Sequence, residues 1–211
     1  MKKYNKIAVI GGTGKAGKYL VNQLVHQGYR VKALVRNPDK PELGDPLIET
    51  IKGDVTNYES VFSLIQECDA VISTLGQPKG EKPVHSVSAS HIIKAMNALN
   101  IRRYIVITGL TIDTPFDKKS FKTKLLSKMI KLSYPAVIAD KQNEYSIISE
   151  SNLGWTIVRI PLLEQTELTG TIKSSLKDCP GGKISSTDLA NFLIGQLSDE
   201  TFIRKSPFIA N

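Results

Sequence analysis

Cysteine is scarce in this chain, since only Cys68 and Cys179 occur among its 211 residues. They lack the Cys-x-x-Cys spacing of a zinc or thiol redox site, and isolated cysteines commonly serve as small packing residues. We therefore predict no metal site and assign neither cysteine a chemical role.

Long apolar runs are also missing. No stretch approaches the roughly 20 apolar residues that a membrane-spanning helix requires. The first strand pattern begins near Lys6, which leaves little room for a signal peptide. With 41% hydrophobic and 23% charged residues, the composition fits one globular domain over residues 1–211. We expect a cytoplasmic protein with no membrane partner.

Acidic residues are absent from the first 38 positions, and Asp39 is the first of them. This stretch contains eight lysines and arginines, the same number as the formal net charge of +8 of the whole chain. This imbalance predicts positive potential at the N-terminal end of the fold, suited to an anionic ligand. The basic residues are Lys2, Lys3, Lys6, Lys15, Lys18, Arg30, Lys32 and Arg36.

Glycine, by contrast, is concentrated where it can bind phosphate. The motif Gly11-Gly12-Thr13-Gly14-Lys15-Ala16-Gly17 follows an apolar run at residues 7–10 and precedes a helical pattern over residues 18–27. Backbone N–H groups and the helix dipole converge at such a turn. The alternative is an ordinary glycine-rich turn, but the strand before it and the helix after it favour a dinucleotide site.

The end of the second predicted strand, residues 29–35, indicates which dinucleotide. Arg36 follows this strand, and an Arg there suits a 2′-phosphate, whereas an acidic residue suits a free ribose hydroxyl. Lys15 could add a second charge near the adenosine phosphate. Asp39 is the rival ribose ligand, but it lies beyond the turn that Pro38 enforces. We therefore predict NADP(H) as the cofactor.

Short apolar strands alternate with helical patterns along the rest of the chain. This alternation predicts an α/β fold, a Rossmann doubly wound parallel sheet with helices on both faces. We expect Ser186 to cap the last helix. Further strands are predicted at residues 48–52, 69–74, 103–108, 155–160 and 169–173, and helices at residues 57–67, 85–99, 121–132, 136–151 and 187–197.

Ligands of such sheets bind outside the carboxyl ends of the strands. Asp54 could contact an adenine amino group, or it could equally be an Asp that stabilises a turn. The predicted cofactor-binding residues at these strand ends are Gly11, Thr13, Gly14, Lys15, Ala16, Gly17, Arg36, Asp54, Val55, Thr74, Leu75, Gly76, Thr108, Gly109 and Ile160.

Five motifs together resemble the atypical short-chain dehydrogenases/reductases, and more narrowly the NAD(P)H-binding group of NmrA-like proteins and small flavin/biliverdin reductases. They are the Gly-Gly-Thr-Gly-x-x-Gly turn, Leu-Val-Arg-Asn-Pro at 34–38, Gly-Asp-Val at 53–55, Trp-Thr-Ile-Val-Arg-Ile-Pro at 155–161 and Ile-Ser-Ser-Thr-Asp-Leu-Ala at 184–190. The resemblance implies a cofactor-binding core over about residues 1–155, and a small C-terminal substrate lobe over about residues 156–211.

The chain departs from this resemblance at the chemical positions. Short-chain dehydrogenases place a Tyr four residues before a catalytic Lys, but Val137 stands four residues before Lys141. The active-site Ser and His of the flavin/biliverdin reductases fall on Gly109 and Leu162. Lys141 and Thr108 remain as catalytic candidates. Lys141 either contacts the nicotinamide ribose or is a solvated helix residue.

Two functional hypotheses follow. The first is an NADPH-dependent oxidoreductase that reduces a small molecule, a flavin, quinone or similar conjugated acceptor, whose proton can come from water. The second is a non-catalytic NADP(H)-sensing regulator of the NmrA type, motivated by the missing Tyr and His. The acceptor, the reaction direction and the oligomeric state stay open. The expected wall of the substrate site is Leu110, Pro161, Leu162 and Leu163.

Residues 117–131 form a basic amphipathic pattern, with six Lys and one Asp among apolar residues. It could face an anionic substrate, a nucleic acid or a partner. We expect instead that its apolar stripe is docked on the protein and its lysines are solvated. We expect no nucleic-acid partner, because no aromatic platform accompanies the charge. We expect His85 and His91 at the surface.

Overall fold

The computed structural model describes residues 4–36, 44–77 and 80–211. Its main sheet has eight strands in the order β3-β2-β1-β4-β5-β6-β10-β8, parallel throughout except for the β10–β8 pair at one edge. The strands are β1 Lys6–Ile10, β2 Arg30–Val35, β3 Ile48–Lys52, β4 Ala70–Ser73, β5 Arg103–Gly109, β6 Gly154–Ile160, β7 Leu162–Glu164, β8 Lys173–Ser175, β9 Lys183–Ser185 and β10 Phe208–Ala210.

Helices cover both faces of this sheet, which confirms the predicted Rossmann-like α/β fold. Helices α1 and α6 share one apolar core, and α2, α3 and α5 contribute to a second core on the opposite face. The helices are α1 Gly17–His26, α2 Tyr58–Ile65, α3 His85–Ala98, α4 Phe121–Ser133, α5 Pro135–Glu150 and α6 Ser186–Gly195.

The strand order reverses between β1 and β4. Strand β1 pairs with β2 on one side and with β4 on the other, both in parallel. The chain therefore builds β1-β2-β3 outward in one direction and continues from β4 in the other. Such a switch point opens a crevice at the carboxyl ends of the two strands, where α/β folds bind their ligands.

The C-terminal region differs most from the predicted elements. Strands β7 and β9 pair in parallel as a separate small sheet that was not predicted, because three-residue strands show no readable alternation. The predicted cap of α6 was wrong by one residue. The Ser185 hydroxyl accepts the Asp188 N–H at 3.0 Å, and Ser186 is the first helical residue.

Candidate functional site

A cleft of about 1060 Å³ lies at the carboxyl ends of the central strands. Every predicted cofactor-binding residue lines it except Gly17, and Lys141 reaches it from α5. The structure therefore brings together residues that are far apart in the chain. The predicted residues along the cleft are Gly11, Thr13, Gly14, Lys15, Ala16, Arg36, Asp54, Val55, Thr74, Leu75, Gly76, Thr108, Gly109, Lys141 and Ile160.

The glycine turn fits tightly against the end of β4. Gly11 has a φ of +76°, a conformation that glycine adopts without strain. A Cβ there would lie 2.8 Å from the backbone carbonyl of Thr74. The Thr74 hydroxyl donates to the Ile10 or Gly11 carbonyl at 3.1 and 3.2 Å, which ties β4 to the turn. Glycine is therefore required by close backbone approach at the switch point.

Gly17 lies beneath the cleft as the first residue of α1. A Cβ on Gly17 would stand 1.9 Å from the Gly11 carbonyl oxygen, a severe clash with backbone. The α1 N-terminus has no side-chain cap and no acidic residue in its first turn. The Lys18 and Leu20 N–H groups donate to the Gly14 and Ala16 carbonyls at 3.1 Å. An anion such as a pyrophosphate can bind at the remaining N–H groups of this helix start.

Arg36 lines the cleft but is already engaged. Its Nη1 donates to both carboxylate oxygens of Glu81 at 2.8 Å, and both side chains are about half exposed. This pairing, and then the charge of Asp54, raises the pKa of Arg36, which is charged in any case. A 2′-phosphate must therefore either bind Arg36 together with Glu81 or displace Glu81 from Arg36. The rival ligand Asp39 lies outside the described residues.

Asp54 stabilises its own turn. Its Oδ1 accepts the backbone N–H of Thr56 at 2.8 Å and the Thr56 hydroxyl at 2.6 Å. These two bonds, and then Arg36, lower the pKa of Asp54. The turn-forming role is thus observed, while its carboxylate also lies along the cleft beside Val55.

Thr108 provides an unpaired polar group at the other end of the cleft. Its hydroxyl is buried near the end of β5 and has no hydrogen-bond partner in the described part of the chain. A buried hydroxyl without a partner costs free energy, and native proteins rarely tolerate one without a reason. Because Thr108 lines the cleft, a bound ligand could supply the missing partner.

Lys141 lies on α5 among ionisable groups. Burial lowers its pKa, while the charges of Glu144 and Asp140 act in the opposite direction. Burial in turn raises the pKa of Glu144 to about 7, against the stabilising charge of Lys141. Positions 141 and 144 lie one turn apart on the same helix. The Lys141 amine therefore lines the cleft with a lowered pKa, and the Glu144 carboxyl next to it on α5 has a raised one.

His85 and His91 are not surface residues, contrary to the sequence-based expectation. His85 is fully buried, and both ring nitrogens lack a hydrogen-bond partner within residues 4–36, 44–77 and 80–211. Burial, followed by the charge of Lys141, lowers its pKa to about 3. His91 is half-buried with its Nδ1 3.1 Å from the Val55 carbonyl.

Asp140 explains why α3 begins at His85. Its Oδ2 accepts the His85 backbone N–H at 2.8 Å, and its Oδ1 accepts the Ser86 hydroxyl. Val84, at the N-cap position, cannot supply this bond. A carboxylate from α5 therefore caps α3 and holds the two helices together beside Lys141.

The apolar wall differs in part from the predicted one. Pro161 and Leu163 line the cleft. Leu162 is exposed, because alternate residues of strand β7 point to opposite sides. Leu110 is buried away from the cleft. Two of the four residues predicted to form the substrate wall therefore line the cleft, and two do not.

Three residues after β4 line the cleft but were not predicted from the sequence. They are Gln77, Glu81 and Val84. The Gln77 amide donates to the Glu81 carbonyl at 2.9 Å, so the loop folds back on itself. No local pattern marks these residues, since their place depends on the loop path between β4 and α3.

The predicted basic region is partly neutralised by acids from other elements. Lys6 pairs with Glu49 at 2.8 Å, and Lys32 approaches the same carboxylate at 3.5 Å. Of the basic set, Lys2 and Lys3 lie outside the described residues, and Lys15 and Arg36 line the cleft. Among the described residues, the N-terminal positive charge at the site therefore comes from these two side chains.

Within residues 4–36, 44–77 and 80–211, no group of three His, Cys, Asp or Glu side chains is arranged to hold a metal ion. Within the same residues, no helix has the length and apolar character needed to cross a bilayer.

Comparison with known proteins gives matches over most of the chain. A family model described as NAD(P)H-binding matches residues 11–200. Isoflavone reductase homolog A622 of Nicotiana tabacum is 39% identical over 111 residues, which cover 48% of this chain and 34% of that protein. The uncharacterized protein YwnB of Bacillus subtilis is 25% identical over 155 residues, 72% of this chain and 70% of that one. The chain spans about a third of the length of the isoflavone reductase homologues it matches.

Solved structures share the fold at low sequence identity. ChuY, an anaerobillin reductase from Escherichia coli O157:H7, superposes with a TM-score of 0.82 at 18% identity, covering 98% of this chain and 97% of that one. A short-chain dehydrogenase/reductase from Veillonella parvula in complex with NADP superposes with a TM-score of 0.77 at 18% identity, covering 99% and 95%. These likenesses establish the Rossmann fold, with a nicotinamide dinucleotide as the cofactor of the matched family.

Proposed function

The chain belongs to the NAD(P)H-binding family, and on this premise we propose that it is an NADPH-dependent reductase. Its acceptor is a flavin, a quinone or a similar conjugated ring system. The single observation that carries the proposal is the continuity of the cleft. One space joins the glycine turn to Thr108, Lys141 and Pro161. Its volume lies at the top of the roughly 300–1,000 Å³ range of ligand sites, which leaves room for a cofactor and an acceptor ring.

The residues present fit a dinucleotide. The turn at Gly11 and Gly17 leaves no room for a Cβ, so backbone N–H groups can approach a pyrophosphate. At the far end of the cleft, the Thr108 hydroxyl is buried and has no hydrogen-bond partner among the described residues, so a bound ligand can supply one. Both features are expected of a site in which a ligand completes the polar contacts.

Preference for NADP(H) over NAD(H) rests on Arg36 and Lys15. Arg36 offers a planar fork for a phosphate, and Glu81 holds that fork at the cleft before any ligand arrives. A phosphate monoester carries more charge than a ribose hydroxyl and can compete with Glu81. Lys15 lines the same cleft from the glycine turn.

At the opposite end, the side chains suit an acceptor that becomes more negative on reduction. When bound, a reduced nicotinamide supplies a hydride. The Lys141 ammonium can stabilise negative charge developing on the acceptor, and its lowered pKa makes its Nζ proton easier to release. The Thr108 hydroxyl can donate to an acceptor oxygen or nitrogen. Pro161 and Leu163 provide apolar surface for a flat ring.

The reductase proposal is tested with purified protein, NADPH and a panel of acceptors. Flavin mononucleotide and a naphthoquinone represent the proposed class, and an aliphatic aldehyde is the control that needs a positioned acid. We expect the absorbance of reduced nicotinamide to fall with the conjugated acceptors and to stay constant with the aldehyde. Tight binding of NADPH without oxidation by any acceptor would contradict the proposal.

Two substitutions assign roles at the acceptor end. Lys141→Met keeps the alkyl chain but removes the charge, and Thr108→Val keeps the shape but removes the hydroxyl. We expect Lys141→Met to lower kcat roughly 100-fold, the usual scale for losing one electrostatic contact to the transition state. NADPH affinity should change little. The control is Lys94→Met, an exposed lysine on α3 outside the cleft.

A regulator of the NmrA type is the alternative that the missing Tyr and His favour. It predicts that a protein partner binds differently in the presence of NADPH and NADP. Pull-down experiments with each nucleotide and with none separate the two functions. Turnover with a conjugated acceptor and nucleotide-independent partner binding would reject the regulator.

A further inference from the structure

Helix α4 is packed with its polar side inward. Thr123 and Ser127, four residues apart on one face, are buried. The Ser127 hydroxyl donates to the Leu110 carbonyl at 3.4 Å, and Thr123 contacts the Ser120 hydroxyl at 3.2 Å. The side of α4 that meets the protein is therefore made of small hydroxyl residues.

The large apolar residues of α4 face solvent. Phe121 is 83% exposed and Leu132 is 74% exposed. At 100° per residue, positions 121, 125, 129 and 132 form a stripe opposite Thr123 and Ser127. The expectation that this stripe docks on the protein was therefore wrong. The exposed apolar residues of this region are Phe116, Phe121, Leu125, Leu126, Met129, Leu132 and Tyr134.

Lysines flank this stripe. Lys118, Lys122, Lys124 and Lys128 are exposed and form no ion pair within the residues that the structure describes. The first turn of α4 contains no acidic residue.

The acids near α4 are already engaged. Asp113 is held by Lys119 and Lys131, and Asp117 pairs with the buried Arg159 at 2.6 Å. Asp178 accepts the Ser120 backbone N–H at 3.1 Å at the start of the helix. These acids are engaged by partners other than the exposed lysines, so the outer face of α4 combines apolar surface with positive charge.

We propose that α4, together with Phe116, is a docking surface for an anionic lipid bilayer. A helix with Phe and Leu on one side and lysines beside them lies in the plane of the interface. The apolar stripe enters the boundary between headgroups and acyl chains, and the lysines contact lipid phosphates. This proposal departs from the expectation of no membrane partner, because that expectation considered helices that span a bilayer and not helices that lie on its surface. This proposal does not depend on which acceptor the cleft reduces.

Charge decides between a bilayer and a second copy of the chain. A symmetric dimer through this face would bring two sets of exposed lysines together within a chain of net charge +8. Like charges at such short range oppose association. An anionic bilayer instead offers negative charge around an apolar interior, which matches both features of the face.

The test is flotation of the full chain with lipid vesicles in a density gradient. We expect the protein to float with phosphatidylcholine vesicles that contain phosphatidylglycerol, to stay behind with phosphatidylcholine alone, and to be released by salt. Failure to float with the anionic vesicles would overturn the proposal.

Matched variants separate specific docking from general charge. The triple variant Lys122→Gln, Lys124→Gln and Lys128→Gln should weaken vesicle binding roughly 100-fold. The control triple Lys52→Gln, Lys94→Gln and Lys205→Gln removes the same charge from exposed positions elsewhere and should change binding only slightly. An equal loss in both triples would reject α4 as the docking surface.

An apolar triple tests the stripe itself. Phe121→Ser, Leu125→Ser and Leu132→Ser should lower vesicle binding at least about tenfold, because less apolar surface leaves water. NADPH binding and circular dichroism verify that the variant is folded. A wild-type dimer that this triple makes monomeric, with no flotation, would show that a second copy covers the face instead. If the protein floats with anionic vesicles and flotation is lost only when an acidic protein is added, the result supports the bilayer as the partner.

Discussion

The β1–α1 unit and the β5–α4–α5 unit border the same cleft but are built differently. In the first, the contribution to the site is backbone, at the Gly11 turn and the start of α1. Helix α1 buries its apolar residues Leu20, Val21 and Leu24. In the second, the contributions are side chains, and α4 buries Thr123 and Ser127 instead.

This difference separates the groups that can bind a cofactor from the groups that can take part in a reaction. Backbone geometry binds a phosphate without any titratable group, so the β1–α1 unit can be apolar and locally consistent. The β5–α4–α5 unit carries Thr108 without a partner among described residues and the shifted pair Lys141 and Glu144. Unpaired polar groups and shifted pKa values are concentrated at functional sites, and here they lie on β5 and α5.

The sharpest way to break the β1–α1 unit is Gly17→Ala. Its Cβ would meet the Gly11 carbonyl oxygen at 1.9 Å, so the turn or the helix must move. We expect a loss of more than about 4 kcal/mol, shared between folding stability and dinucleotide binding. Isothermal titration with NADPH and chemical denaturation measure the two parts. The control is Gly195→Ala, another helical glycine, where open space predicts a gain of up to about 1 kcal/mol.

The packing contrast between α1 and α4 predicts the next largest difference. Leu24→Ala should destabilise the fold by about 2–5 kcal/mol, because Leu24 is fully buried. Leu125→Ala should change the free energy of unfolding by less than about 0.5 kcal/mol, because Leu125 is half exposed. Urea denaturation of both variants checks this. Similar losses would mean that the α4 stripe is packed after all.

Cofactor choice gives a smaller effect. Arg36→Ala should weaken NADPH binding by roughly 1–3 kcal/mol and change NADH binding little, because only NADPH carries the 2′-phosphate. Glu81→Gln should strengthen NADPH binding, since it frees the Arg36 fork from a competing carboxylate. Titration with both nucleotides measures each term. An equal loss for NADH and NADPH in Arg36→Ala would show that Arg36 does not recognise the phosphate.

The smallest effect is a pH dependence with two opposing parts. The lowered pKa of His85, about 3, keeps it neutral when folded, while the unfolded chain binds a proton below about 6.5, so stability falls as the pH falls through this range. The raised pKa of Glu144, about 7, has the reverse effect, because the unfolded chain ionises first and stability falls as the pH rises from about 4.5 to 7.

Single variants separate these two parts. Glu144→Gln removes the second, so its stability should fall by up to about 1.4 kcal/mol per pH unit between about pH 6.5 and 5. His85→Gln should become more stable over the same interval as the pH falls. Denaturation of each variant at both ends of the interval measures the slopes. Slopes of the same sign in the two variants would contradict the assignment.

The sequence predicted most of the fold for a simple physical reason. Apolar strands such as β1 and helical patterns such as that of α1 act locally, so they can be recognised without knowing the neighbours. Strands β7 and β9 were missed because three residues show no period. The hydrogen bond from Arg36 to Glu81 was missed because it depends on the path of the chain between β4 and α3.

By itself, the sequence determined the glycine turn, the alternation of elements and hence the kind of cofactor. Those properties follow from backbone sterics and hydrophobic periodicity. Only the tertiary structure decided that His85 is buried and neutral, that Asp140 caps α3, and that α4 turns its apolar stripe outward. These depend on which elements meet across the sheet, and the same amphipathic pattern can face the core or the solvent.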